Sequence, residues 1–360
     1  DIAIYQNFII LSIIGQDMDI KKLEKFIAEK KWPQFRLRQI KKAIYRDAIV
    51  DYGLITTLPQ AARAELANAV SPLSVKELKV SGAVDGKSYK VCLRLSDDNL
   101  VETVIMRMKK EEWTACVSSQ VGCALNCAFC ATGVNGFRRN LSAEEVTDQV
   151  LYWRHWLMEN KKGERLTNIV YMGMGEPFLN WENVSLSLKY LTDPDLFGYG
   201  DRNISVSTAG IPEGIKKLAK EFPQINLAIS LNSADEKIRQ AIMPIGKRYS
   251  LKNLHTVLEA YLDSTNRKLF MEYVLIAGIN DDSAAAAKLV NFVKSFTKSY
   301  LLHVNLIPYN PNITSLKPSS EQQIIKFKDL LVENKISVTV RKSLGAEIAA
   351  ACGQLAARNS

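Results

Sequence analysis

Residues 116 to 133 read Cys116-Val-Ser-Ser-Gln-Val-Gly-Cys123-Ala-Leu-Asn-Cys127-Ala-Phe-Cys130-Ala-Thr-Gly133, and they hold four of the six cysteines of the chain. The last three are spaced CxxxCxxC. Soft thiolates on one tight loop select iron-sulfur chemistry, and three of them leave the fourth iron of a [4Fe-4S] cluster open to a small molecule. The alternative is a structural zinc knuckle or buried cysteines. Zinc loops carry a second Cys or His pair, whereas His155, His255 and His303 are scattered singly.

The cluster loop resembles that of the radical SAM superfamily, in which an aromatic residue precedes the last cysteine of CxxxCxxC. Phe129 occupies that position here. Core packing is an alternative role for the same ring.

The positive charge of the chain is concentrated near its start. The 360 residues carry a net charge of +9, and Ile20 to Arg46 alone hold ten Lys or Arg against two Glu, which leaves +8. A cationic face of this kind fits a nucleic-acid backbone, with Trp32, Phe35 and Tyr45 as candidate stacking groups. The alternative is a solvated helix face whose aromatic residues turn to the core.

The cysteine content and the first residues bear on location. Clustered free thiols favour a reducing compartment, so we expect a cytoplasmic protein. The apolar run from Phe8 to Ile14 is too short to span a bilayer, and no membrane association is expected. Because Met18 looks like a natural start, residues 1–17 are expected to be a non-native or disordered extension.

Hydrophobic periodicity divides the rest of the chain. Helical spacing over residues 18–73 predicts a small helical domain whose basic face is the candidate nucleic-acid surface, and alternation over 74–112 predicts a β-hairpin extension. Six strand-helix units over 113–343 predict an α/β fold with a parallel sheet closed, or partly closed, into a (βα)6 barrel. Residues 344–360 form a small-residue tail.

Polar groups follow the predicted strands, where a barrel places its site. Gly175 and Glu176 end the second strand, and the backbone freedom of glycine and the carboxylate suit a ligand with an ammonium group. Later strands end in hydroxyl and amide groups that suit ribose and carboxylate contacts, or that cap the following helices. These are Ser207, Ser230-Leu231-Asn232 and Asn310.

Two cysteines remain outside the cluster motif. Cys116 lies just ahead of the loop, and Cys352 lies in the small-residue run Ala349 to Leu355. An isolated cysteine near a chain end is more often incidental. If the two thiols converge at the site, they would suggest covalent chemistry followed by disulfide resolution.

With these residues in hand, the chain from about residue 20 resembles the RlmN/Cfr family of radical SAM RNA methyltransferases. The resemblance rests on CVSSQVGC, CxxxCxxC, GMGEP, VNLIPYNP and AACGQLA. It implies a radical SAM partial (βα)6 barrel and an enzyme that uses two S-adenosylmethionine molecules per turnover. It also implies which residues bind the [4Fe-4S] cluster and S-adenosylmethionine. The cluster ligands would be Cys123, Cys127 and Cys130, and the S-adenosylmethionine site would comprise Gly175, Glu176, Ser207, Ser230, Leu231, Asn232 and Asn310.

The same resemblance implies a reaction route. Cys352 is methylated, a 5′-deoxyadenosyl radical removes a hydrogen from that methyl group, and the carbon adds to adenine. Cys116 then resolves the adduct through a disulfide with Cys352, and Glu102 matches the proton acceptor of the family. Radical chemistry suits C2 of adenine because this electron-poor carbon offers no nucleophilic lone pair.

The family pattern also implies partners: 23S ribosomal RNA, transfer RNA and an electron donor such as flavodoxin, with the protein acting as a monomer. Pro177 and Pro308 favour the RlmN pattern and C2, whereas Asn232 replaces an expected histidine. The alternatives are C8 methylation of the Cfr type, a radical SAM enzyme acting on a peptide or metabolite, and a non-enzymatic iron-sulfur electron carrier.

Overall fold

The structure is a computed structural model, and it describes residues 20–311 and 315–356. The predicted extension over residues 1–17 therefore lies outside the described residues. The strands within these ranges are β1 Lys76–Gly82, β2 Ser88–Arg94, β3 Leu100–Lys109, β4 Glu112–Cys116, β5 Gln120–Gly122, β6 Phe137–Asn140, β7 Arg165–Tyr171, β8 Ile204–Thr208, β9 Asn226–Ser230, β10 Leu269–Leu275, β11 Leu302–Pro308 and β12 Val338–Val340. The α-helices are α1 Ile20–Glu29, α2 Gln34–Lys41, α3 Gln60–Ala69, α4 Ala131–Val134, α5 Ala143–Asn160, α6 Trp181–Thr192, α7 Pro212–Glu221, α8 Glu236–Ile242, α9 Leu251–Thr265, α10 Ser283–Lys294 and α11 Glu321–Glu333.

Ten of these strands form one sheet in the order β1-β2-β3-β4-β7-β8-β9-β10-β11-β12. From β4 onward every neighbouring pair is parallel. The order begins and ends with different strands, so the sheet stays open and the barrel is partial. The predicted α/β fold with six parallel βα strands is confirmed, and its site edge is the carboxyl edge of β4 and β7 to β11.

Helices cover the outer face of the parallel strands because their apolar stripes match it. The longest, α5, begins with a capping box in which Ser142 accepts from the backbone of Glu145 and Glu145 accepts from the backbone of Ser142. Its buried face includes Val146, Val150 and Trp153. This packing fixes α5 against the start of the parallel sheet.

The predicted β-hairpin is confirmed as β2 and β3, which pair antiparallel with Leu93 opposite Val101. Strand β1 adds to its outer edge. The hairpin is also continuous with the barrel sheet, because Val104 of β3 lies opposite Cys116 of β4. This join places Glu102 beside the strand that leads into the cluster loop.

The basic region folds into α1, α2, a π-helical turn over Lys42–Arg46 and α3, with Leu23, Ile27 and other apolar side chains buried. Most of its basic side chains are exposed, namely Lys21, Lys22, Lys25, Lys30, Lys31, Arg38, Lys42 and Arg46. The candidate stacking role of Tyr45 is wrong, because this ring is buried against Phe197. Phe35 is 44% exposed and keeps that role as a prediction.

Across residues 20–311 and 315–356, no helix has both the length and the apolar character needed to cross a membrane.

Candidate active site

The cluster loop is closed at its base by a two-stranded antiparallel sheet of β5 and β6. The backbone N–H of Cys123 donates to the carbonyl of Gly136 at 2.9 Å. Gly122 is required at this base, since its φ is +76° and a Cβ would lie 1.8 Å from the Gly136 carbonyl oxygen. The loop is thus closed by contacts within its own short segment.

The thiols of Cys123, Cys127 and Cys130 line the same cavity and are free. Burial, followed by the charges of its two neighbours, raises the pKa of the Cys127 thiol, and burial raises that of Cys123 to about 12. Thiolates that lie close together repel one another unless a cation neutralises their charge. An iron-sulfur cluster supplies that positive charge, so the donor set fits such a group.

The surroundings of these thiols also fit a cluster. Leu125, Met243 and Tyr309 form an apolar group against which Cys123 and Cys127 pack. In the described part of the chain, no three Cys, His, Asp or Glu side chains are gathered tightly enough to chelate a single metal ion.

The cavity extends from the cluster loop across the carboxyl edge of the sheet. It is lined by most of the side chains that the sequence predicts for the S-adenosylmethionine site, namely Gly175, Glu176, Ser207, Ser230, Asn232 and Asn310. The topology explains this convergence, because the carboxyl ends of neighbouring parallel strands meet at one edge. Leu231 is the exception: it is fully buried and is not part of the lining.

Glu176 is held in place by the backbone. Its two carboxylate oxygens accept from the N–H groups of Phe178 at 3.0 Å and Ala209 at 2.7 Å, so it ties the end of β7 to the end of β8. Burial raises its pKa to about 7, and these hydrogen bonds oppose the shift. The Thr208 side chain provides a third hydrogen bond, and the remaining lone pair leaves the carboxylate able to accept from an ammonium group.

Asn232 stands where the family pattern suggests histidine, and its backbone explains why asparagine is tolerated. Its φ is +55°, a left-handed conformation that asparagine adopts more readily than most residues. Its Oδ1 accepts from the N–H of Val274 at 2.9 Å. The side chain therefore shapes the cavity wall between β9 and β10.

The tail brings Cys352 to this cavity. The carbonyl of Gly353 accepts from the N–H of Ala131, and Asn310 donates to the carbonyl of Cys352 at 3.2 Å. Cys352 as a whole residue is exposed, and it lines the cavity wall. Desolvation of its thiol by the surrounding protein raises the thiol pKa. The thiol also lies close enough to Cys130 to be affected by its charge.

Cys116 ends β4 and is buried just behind the cavity lining. The N–H of Met172 hydrogen-bonds its sulfur. Burial, and then the charge of a nearby Cys352 thiolate, raise its pKa to about 12. The two thiols outside the cluster motif thus lie close enough for the charge of Cys352 to affect the pKa of Cys116.

Glu102 does not line the cavity. Its Oε1 pairs with Lys90 Nζ at 2.9 Å, and its Oε2 accepts from the N–H of Ala356 at 2.8 Å. The carboxylate therefore contacts the tail that carries Cys352. The proton-acceptor role that the family resemblance implies for Glu102 stays a prediction.

Two charged residues of the cavity wall, Glu272 and Arg341, were not predicted from the sequence. Glu272 of β10 accepts from Asn305 at 2.9 Å and pairs with Arg341 at 3.2 Å. Arg341 lowers the pKa of both Cys116 and Cys352 against the larger effect of burial. Glu272 could have been predicted, because it is the single carboxylate within the apolar strand Leu269–Leu275. The sequence around Arg341 contains no comparable signal.

Comparison with known proteins agrees with this geometry. A model of the Radical SAM superfamily matches residues 117–290. The chain is 38% identical over 340 residues to the ribosomal RNA large subunit methyltransferase Cfr of Bacillus velezensis. The aligned region covers 93% of this chain and 95% of that relative. The chain is also 38% identical over 341 residues to the probable dual-specificity RNA methyltransferase RlmN 2 of Protochlamydia amoebophila, covering 94% of this chain and 93% of that one.

Among solved structures, a radical SAM methyltransferase from Sphaerobacter thermophilus superposes with a TM-score of 0.89 at 38% identity, and it covers 96% of this chain and 100% of its own. These similarities confirm the predicted pairing of a [4Fe-4S] cluster with S-adenosylmethionine. The chain therefore belongs to the radical SAM superfamily and, within it, to the Cfr/RlmN type of RNA methyltransferases.

Proposed function

We propose that this protein methylates C2 of an adenosine in 23S ribosomal RNA and in transfer RNA, with Cys352 as the methyl carrier. One observation carries the proposal: Cys352 lines the same cavity as Cys123, Cys127 and Cys130, while Cys116 lies within electrostatic reach behind it. An electron-transfer protein would need neither spare thiol. The relatives named as RNA methyltransferases support the substrate class.

One group of residues holds the cofactors, and another transfers the methyl group. Cys123, Cys127 and Cys130 hold the cluster, which when bound supplies the electron for reductive cleavage of S-adenosylmethionine. Gly175, Glu176, Ser207, Ser230, Asn232 and Asn310 orient that molecule from the strand ends. Only the backbone of Leu231 belongs to this set, because it connects Ser230 to Asn232 in the cavity wall.

The transfer itself runs through the two spare thiols. Cys352 loses its proton and takes a methyl group on sulfur from one S-adenosylmethionine, which leaves as S-adenosylhomocysteine. After a hydrogen atom is removed from that methyl, its carbon bonds to the adenine ring; the ring proton then leaves to a base, for which Glu102 is the family's candidate, and the unpaired electron would pass to the bound cluster. The Cys116 thiolate then attacks the sulfur of Cys352. The new S–S bond forms as the S–C bond breaks, and the electron pair passes to the methylene carbon, which takes up a proton to become the new methyl group.

C8 of the same ribosomal adenosine is the second candidate position, and the relatives named Cfr favour it. Pro177 and Pro308 favour C2. Anaerobic reconstitution with labelled S-adenosylmethionine and ribosomal RNA, followed by nucleoside mass spectrometry, tests both. We expect 2-methyladenosine. Labelled 8-methyladenosine would move the activity to the second candidate, and absence of any methylated adenosine from cluster-loaded protein would overturn the proposal.

We further propose that the basic face of α1 and α2 binds the RNA backbone. Charge neutralisation of phosphates releases counterions, so the affinity of the protein for RNA should fall steeply as salt rises. Affinity independent of salt would instead favour a peptide or metabolite substrate. A cytoplasmic monomer that receives electrons from a flavodoxin-like donor fits this scheme.

A further inference from the structure

An ion pair on the antiparallel strands holds both ends of the segment that carries Cys352. Lys90 Nζ donates to the carbonyl of Ala349 at 3.1 Å. Glu102 Oε2 accepts from the N–H of Ala356 at 2.8 Å. Because Lys90 and Glu102 also pair with each other at 2.9 Å, one ion pair brackets the tail turn on either side of Cys352.

The environment makes these contacts stronger than ordinary surface pairs. Only 15% of the Lys90 side chain and 10% of the Glu102 side chain are exposed. Hydrogen bonds that involve an ionised group are shorter and stronger than neutral ones, and removal from water increases their strength. These charge-assisted bonds therefore add to the other contacts of the tail, which include the buried side chains of Ala350 and Leu355.

The strand that carries Glu102 is itself tied to the strand that carries Cys116. Thr103 donates to the carbonyl of Cys116 at 2.7 Å, and Ser118 donates to the carbonyl of Glu102 at 2.6 Å. Val104 lies directly opposite Cys116 in the ladder. The position of the ion pair is thus set relative to Cys116, and so is the tail that the pair holds.

We propose that Lys90 and Glu102 form a clamp that sets the distance between the Cys352 and Cys116 thiols. Lys90 is a positioning residue, since it acts through the tail backbone and touches no reacting atom. Glu102 has this role whether or not it also accepts a proton. The inference rests on the proposed function for its purpose, but the clamp itself is a property of the folded chain.

Lys90→Met tests the clamp, because it removes the cation while leaving the Glu102 carboxylate intact. Lys90→Arg is the rescue variant. Lys79→Met on the neighbouring strand β1 is the matched control, since Lys79 is exposed. Far-UV circular dichroism and the visible absorption of the cluster establish that each protein is folded and loaded before the tail is measured.

Two readouts report the tail without any methyl transfer. They are amide hydrogen exchange over residues 345–356 and the rate at which iodoacetamide alkylates Cys352, quantified by peptide mass spectrometry. We expect Lys90→Met to raise both by roughly tenfold, equivalent to about 1.4 kcal/mol of lost tail stabilisation. Lys90→Arg should stay near the wild type, and Lys79→Met should equal it.

Tail exchange and alkylation that are unchanged in Lys90→Met would overturn the clamp, even if methylation were normal. Glu102→Gln separates the two roles of the carboxylate. A clamp predicts a looser tail in this variant as well, whereas a residue that serves only as a base predicts a wild-type tail. Absence of methylation in the wild type would reject the proposed function without touching these tail measurements.

Discussion

The two sets of thiols in this protein are assembled in different ways. Cys123, Cys127 and Cys130 lie on one loop that β5 and β6 close locally. Cys116 and Cys352 come from distant parts of the chain, and the hydrogen bonds that hold the tail along the cavity bring Cys352 close enough to affect the pKa of Cys116. The proposed cluster site is thus encoded by a short segment, whereas the proposed carrier pair depends on contacts that are spread over the sheet. Variants far from the chemistry should therefore affect the second set and spare the first.

The largest effect is expected from the thiols themselves. Cys127→Ala should lose the visible absorption of the cluster together with all methyl transfer, because a second iron of the cluster would then lack a protein ligand. Cys352→Ala should keep that absorption and lose methyl transfer completely. Absorption spectra and a methylation assay on the same anaerobic preparations check both. Methylation retained by Cys352→Ala would remove the distinction between the two sets.

Cys116→Ala should stop the reaction at a later stage. Without the resolving thiolate, the bond between the Cys352 methylene carbon and the adenine cannot be released. We expect a covalent protein-RNA adduct that migrates slowly on a denaturing gel and disappears in the Cys116→Ala, Cys352→Ala double variant. Free methylated RNA at the wild-type rate would show that another group resolves the adduct.

An intermediate effect is expected where the tail meets the cluster loop. Gly353 has a φ of +81°, and a Cβ there would lie 3.1 Å from the carbonyl oxygen of Phe129. Gly353→Ala should shift the tail and slow the methylation of Cys352 by about tenfold, since left-handed backbone alone costs about 1 to 2 kcal/mol. Single-turnover mass spectrometry of the Cys352 peptide measures this rate.

Gly163→Ala is the control for that variant, because Gly163 has a φ of +86° and nothing lies within 4 Å of its Cβ position. Both substitutions carry similar backbone strain, but only one touches the tail. Equal slowing in the two variants would mean that lost stability, rather than the position of Cys352, limits the reaction.

The smallest effect on chemistry is expected at Asp148, which lies outside both thiol sets. Its carboxylate accepts from the N–H and hydroxyl of Ser74, and burial raises its pKa from 3.8 to about 7. Because the folded-state pKa is above the unfolded one, ionisation destabilises the fold progressively as pH rises from about 4 to about 7. Asp148→Asn removes this penalty.

The Tm of Asp148→Asn relative to the wild type should therefore increase between pH 5 and pH 8, by the equivalent of about 2 kcal/mol. Methylation of Cys352 at a fixed pH should change little. Thermal unfolding of both proteins at the two pH values measures the effect. A Tm difference that is independent of pH would show that Asp148 is ionised in the fold already at pH 5.

The sequence predicts the parts of this molecule that local rules control. Apolar strands alternating with helices predict the barrel, and the CxxxCxxC spacing predicts the cluster loop, because both signals lie within short stretches. Asn310 was predicted because it lies just beyond the end of a strand. Leu231 was implied by the family resemblance, and its buried side chain does not line the cavity.

Long-range partners could not be predicted in the same way. The tie of Glu102 to Lys90 and Ala356 requires the register of β2 against β3 and the path of the tail, neither of which periodicity supplies. Arg341 reaches the thiols from the end of β12 because this strand pairs with β11. Tyr45 sits in a charged segment but is buried against Phe197, a residue far along the chain.

In the proposed reaction, the thiols of Cys116 and Cys352 act on each other during turnover. Peptide mapping under non-reducing conditions, after reaction with S-adenosylmethionine and RNA, tests this directly. We predict a disulfide between Cys116 and Cys352 that appears in step with methylated RNA and is absent when RNA is omitted. Methylated RNA formed while both thiols remain reduced, or while either pairs with Cys92, would contradict the account.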